Sequence, residues 1–140
     1  RKPLSVMSAT SPSPKPTWLS EPKADVTVTQ ADFRFTLSHP IVRGSHTIQV
    51  MNHGTQPHEV VVVKLAPGAS VKDWAASVEP GASGPPQGRP IGGIVGLESG
   101  EHGFFRASFE PGHYGLICFL PDPTGQLHFT RGMTTEFTVK

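Results

Sequence analysis

Fifteen prolines and fifteen glycines are scattered through 140 residues, and punctuation that dense disfavours a helical bundle. It favours many short strands joined by turns, an all-β chain. A charged content of only 16%, against 36% hydrophobic, points the same way. Twelve Lys+Arg set against 11 Asp+Glu leave the chain nearly neutral, which excludes a dedicated binder of nucleic acid or another polyanion. The longest unbroken apolar stretch, Leu116 to Leu120, falls far short of the roughly 18 residues that a membrane-spanning helix needs. A single cysteine, Cys118, excludes an internal disulfide framework and a four-cysteine zinc site. It is either a buried structural thiol or one used for chemistry.

Residues 1 to 22 carry Pro3, Pro12, Pro14, Pro16 and Pro22 among serines, with little apolar periodicity, and read as an extended tail or linker. Trp18 is the residue there suited to dock on the domain. The chain opens on Arg1, as expected of a processed or excised product. Residues 23 to 140 form the domain, near the size of a two-sheet β-sandwich.

Strand signals follow in close succession. Asp25 to Phe35 switches parity between Val26/Val28 and Phe33/Phe35, which predicts one strand bulged or bent near Gln30 to Asp32. His46 to Asn52 alternates. His58 to Leu65 is apolar on both parities, as expected of a central strand covered on both faces. Ser70 is placed to cap a short helix running through Val78, with Asp73 at the third helical position and Val71, Trp74, Ala75 and Val78 on one face, a lid over one flank. An irregular Pro/Gly excursion from Glu79 to Pro90 precedes strands at Ile91 to Leu97, His102 to Phe109, His113 to Leu120 and Met133 to Lys140. Tyr114 suits a sandwich corner whose hydroxyl bonds backbone.

The connection between the last two strands holds Cys118, His128 and Met133, so a thiol, an imidazole and a thioether share one segment. Thiolate, thioether and imidazole together select copper, and two histidines with one cysteine and a weak axial methionine support one-electron transfer. His58 is the best second histidine, delivered to the start of the central strand by the turn Asn52 to Pro57. Taken singly, each residue has a plainer reading. Cys118 and Met133 share parity with core positions, His58 suits a hydrogen-bonded strand histidine, and His128 suits an ordinary loop. His39, His46, His53, His102 and His113 read as solvated surface residues without a role.

The residues Asn52-x-Gly54-x-x-Pro57-His58, Pro111-Gly112-x-Tyr114-x-x-x-Cys118 and His128-x-x-x-Gly132-Met133 resemble the cupredoxins, or blue-copper proteins, in their small bacterial single-domain form. The resemblance spans most of residues 25 to 140. It implies a Greek-key β-sandwich of about seven to eight strands with one short helix in a long connection. It also implies one copper per chain held by His58, Cys118, His128 and Met133, and an electron carrier rather than an enzyme. His128 would then form the electron exit, its outer ring edge near the surface, with transient redox partners docking on Phe119, Leu120, Pro121, Leu127 and Phe129. Export to a periplasmic or extracellular setting, a monomeric state and a membrane tether through the leading tail complete the expectation. Two departures stand out. Nine residues separate Cys118 from His128 where the family has a short gap, so the loop must bulge through the turn Asp122 to Gly125. Glu59 follows the first histidine where many relatives carry a small polar residue that ties the ligand loops. Two other readings accompany this one: copper storage or delivery through the same ligands, and a metal-free interaction module. No His-x-His pairs for a multicopper cluster are present, and no acidic residue shows a tie to a histidine.

Overall fold

The structure is a computed structural model that describes residues 8–9 and 20–140. Most of the proline-rich segment over residues 1 to 22, including Trp18, lies outside the described residues. Eight strands of four residues or more follow the two-residue β1 (Ser8–Ala9). They are β2 (Val26–Ala31), β3 (Arg34–Leu37), β4 (Gly44–Asn52), β5 (His58–Leu65), β6 (Gly88–Leu97), β7 (His102–Phe109), β8 (Gly112–Ile117) and β9 (Thr134–Val139). One sheet runs β1-β7-β4-β2-β3 and the other β6-β5-β8-β9. The chain crosses between sheets three times, from β4 to β5, β6 to β7 and β7 to β8, giving a sandwich.

Most elements lie where the sequence places them, and two do not. The strand expected over Asp25 to Phe35 is a hairpin of β2 and β3, in register from Ala31↔Arg34 to Val28↔Leu37. The parity switch marks a chain reversal rather than a bulge. Phe33, in its turn, is the only non-glycine among the described residues with a positive φ, at 150°. β6 begins at Gly88, ahead of the expected Ile91, and runs through Pro90. β6 is an edge strand, and Pro90 falls at a register shift against β5, where a missing N–H is tolerated.

β5 is the axis of the second sheet, paired to β6 and β8 and buried on both faces. Its inward residues Val60 and Val62 join Val28, Val50, Phe105 and Leu116 between the sheets. Its outward Val61 and Val63 pack beneath α1 (Val71–Ser77) with Val71, Trp74, Ala75 and Ile117. That second layer explains the unbroken valine run, each side chain contributing about 1.5–3 kcal/mol when fully buried. A capping box starts α1: the Asp73 N–H donates to Ser70 Oγ at 3.0 Å and the Ser70 N–H to Asp73 Oδ2 at 2.9 Å. Among the described residues no helix is long and apolar enough to cross a membrane.

Candidate metal centre

β5 opens with His58, and its antiparallel neighbour β8 ends one residue before Cys118, so pairing alone brings their side chains to one end of the sandwich. His128 begins a 3-10 turn, His128–Arg131, closed by Gly132 in the left-handed region at φ 103°. That turn folds Met133 back: its N–H donates to the His128 carbonyl at 3.2 Å, and its carbonyl accepts the Cys118 N–H at 3.4 Å. His58, Cys118 and His128 therefore meet, with one ligand atom from each lying within 4.8 Å of the others. All three are fully buried, as is Met133, which packs in the same core cluster as Cys118.

The proton positions follow from the outer partners. His58 Nε2 stands 2.7 Å from Asp32 Oδ1, and His128 Nε2 stands 2.8 Å from Gln56 Oε1. Both oxygens accept, so each Nε2 carries a proton toward its outer partner. The two Nδ1 atoms face each other at 3.1 Å, with Cys118 Sγ 3.5 Å from the His128 Nδ1. The site meets the chemistry of a soft-metal cage: two imidazole nitrogens, one thiol and a buried thioether alongside.

Electrostatics keep it so. Burial, and after it the positive charge that His58 would carry, hold the His128 imidazolium pKa below its usual value against the pull of Asp122 and Asp32, so the ring stays neutral. Partial burial works against the Asp32 charge, yet hydrogen bonds from Thr55, His58 and Gln56 hold its carboxyl far below the ordinary range. Asp32 is therefore ionised at neutral pH.

Bracing residues surround the ligands. The Glu59 N–H donates to Cys118 Sγ at 3.4 Å, and the Glu59 carboxylate accepts the Phe119 N–H at 3.1 Å. Glu59 thus ties the two ligand segments where the sequence left that tie open. Asn52 donates to the carbonyls of Gln56 and Leu97 and accepts the Gly54 N–H, all at 2.8–2.9 Å. Gly54 must lack a side chain, because a Cβ there would meet Asp32 Oδ1 at 2.3 Å and His58 Nε2 at 2.7 Å.

The long connection from Cys118 to His128 does turn at Asp122 to Gly125, as a closed small hairpin. Pro121 pairs with Leu127, the His128 N–H donates to the Leu120 carbonyl at 2.8 Å, and the Asp122 N–H donates to Gln126 at 2.8 Å. The buried Asp122 carboxylate accepts from Thr124, Gln126 and Arg131. Arg131 also lies 4.5 Å over the Phe33 ring, which stands 5.1 Å from the His128 ring.

Three expectations change. The His128 ring has no exposure of its own, because the half-buried Gln56 side chain covers its Nε2 edge. Phe119, Leu127 and Phe129 face a groove with Trp74, Val78 and Pro86 beside α1, a cavity of about 740 Å³, so that apolar surface spreads over the flank of the second sheet. Acidic residues do tie to histidines: Asp32 to His58, and at the periphery Asp25 to His46, Glu21 to His102 and Glu136 to His113. His46 is the most enclosed of the peripheral group, its side chain only 9% exposed, so simple solvation does not describe it. Asp32 and Gln56 had no signal in the sequence beyond the parity switch near residue 32, since each meets a ring far along the chain.

No family model matches the sequence, and no curated protein does. Solved structures do match the fold. Dithionite-reduced auracyanin from the photosynthetic bacterium Roseiflexus castenholzii superposes with a TM-score of 0.58 at 19% identity, covering 81% of this chain and 94% of that one. Auracyanin B gives 0.54 at 18% identity over 86% and 93%. Auracyanin A, a "blue" copper protein from the green thermophilic photosynthetic bacterium Chloroflexus aurantiacus, gives 0.53 at 19% over 81% and 99%. The chain has the cupredoxin fold.

Proposed function

We propose that the chain binds one copper ion through His58 Nδ1, Cys118 Sγ, His128 Nδ1 and the Met133 thioether, and carries single electrons. The observation that carries this reading is the convergence of two imidazole Nδ1 atoms and one thiol in a fully buried pocket. Copper, when bound, supplies a couple between +1 and +2 that a thiolate and two imidazoles support. The residues do the rest. Cys118 binds as thiolate, steadied by the Glu59 N–H, and Met133 is the weak fourth donor. Ligand segments tied through Asn52, Glu59 and Asp32 hold their geometry in both oxidation levels, so little rearrangement accompanies transfer. Gln56, half-buried and touching the His128 Nε2 edge, is a one-residue route from ligand to surface. A net charge of +1 gives little long-range steering, so a redox partner would dock through apolar contact, which Phe119, Leu127 and Phe129 offer beside α1. Full burial of the ligands favours retention of the ion over delivery to an acceptor. Export belongs to the same reading.

Titration with Cu(II) tests it. One equivalent bound with intense thiolate charge-transfer absorption, lost in Cys118→Ser, is the expected result. Failure of the wild type to bind stoichiometric copper defeats the proposal.

A further inference from the structure

Asp32 reaches the ligands from the other sheet, at the tip of the β2–β3 hairpin. Its carboxylate accepts the Thr55 N–H at 2.9 Å, the Thr55 hydroxyl, the Gln56 N–H at 3.3 Å and the His58 Nε2–H at 2.7 Å. Gln56, fixed in this way, turns its own amide oxygen onto His128 Nε2. One side chain thus governs both rings, His58 directly and His128 through one intermediate. The site is built for it: Gly54 leaves the space the carboxylate occupies, and the positive φ of Phe33 is held by its ring against His128 and Arg131.

We propose that Asp32 is the positioning residue of the metal centre, fixing both histidines as Nε2–H tautomers and biasing the bound copper toward its oxidised level; the redox part rests on the copper reading above. A charged acceptor on an imidazole N–H pushes electron density to the opposite nitrogen and makes it a stronger donor. The more highly charged ion gains most from a stronger donor. His128, bonded to a neutral amide, receives the smaller push, so the two imidazoles are inequivalent ligands.

The test compares wild type, D32N and D32E. In metal-free wild type, long-range proton–nitrogen NMR should find His58 and His128 protonated at Nε2 and bare at Nδ1. In copper-loaded D32N, Cu(II) affinity should fall about 10- to 100-fold and Cu(I) affinity less. The reduction potential then rises, by about 59 mV for each tenfold difference between the two losses. D32E, which keeps the charge, should recover part of the wild-type potential. A His58 protonated at Nδ1 in the metal-free wild type overturns the assignment whether or not D32N folds, and so do equal potentials in wild type and D32N. A wild type that takes up no copper overturns the copper reading instead, and the NMR tautomers then decide whether Asp32 positions the rings.

Discussion

At one end of the sandwich lie the buried polar side chains Gln30, Asn52, His58, Glu59, Asp122 and His128, while at the other the charges of Lys64, Arg89 and Glu110 stay at the surface. That second end is closed by Tyr114, whose hydroxyl donates to the Glu110 carbonyl at 2.8 Å and accepts the Glu110 N–H at 3.0 Å. Its ring stacks on Phe137 at 5.6 Å. The plain end holds the fold together with apolar contact and one satisfied hydroxyl. The polar end carries groups that are expensive to bury, most of them hydrogen-bonded around His58, Cys118 and His128. Stability and chemistry are thus segregated along one axis of a small domain.

Gly54→Ala strikes the polar end hardest. The added methyl must displace Asp32 or His58, at a cost of about 2–3 kcal/mol by overpacking, and copper binding should weaken with it; calorimetric melting and metal titration check both. Tyr114→Phe does the reverse, lowering stability by about 1–2 kcal/mol through its lost hydrogen bonds while the copper absorption stays unchanged. A spectral change in that variant would break the segregation of the two ends. Gln30→Met sharpens the comparison from another side. Gln30 is fully buried and neither amide atom has a partner among the described residues, so the thioether should raise stability by about 1 kcal/mol, read from the urea midpoint.

The smallest effect is acidic. The Thr124 hydroxyl, then Arg131 and the N–H groups of Gln126 and Thr124, hold the Asp122 carboxyl far below its usual range despite burial. A depressed carboxyl contributes its full stabilisation above the unfolded value of about 3.9 and loses it as pH falls toward the folded one. Below about pH 4 the wild type should therefore lose stability more steeply than Asp122→Asn. Parallel acid curves for the two proteins would remove Asp122 from the account.

Much of this was legible in the sequence because it is local. The valine run of β5, the Ser70/Asp73 box and the turn before Tyr114 each carry their signal within a few residues. His58, Cys118, His128 and Met133 were legible as a soft-donor set, since chemistry narrows what thiol, thioether and imidazole can share. Asp32 was not. Which of 11 carboxylates faces which ring depends on how two sheets stack, and strand patterning does not encode that. The covered edge of His128 was missed for the same reason, because Gln56 arrives from the other ligand segment.

The Pro121–Leu127 pairing has a further consequence. Because the backbone closes on itself below Asp122, the spacing of sulfur and imidazole is independent of how many residues lie beyond that closure. Thr124 must stay for its two bonds to Asp122, but extra residues at the exposed tip beside Gly125 should leave the Cys118 to His128 spacing unchanged.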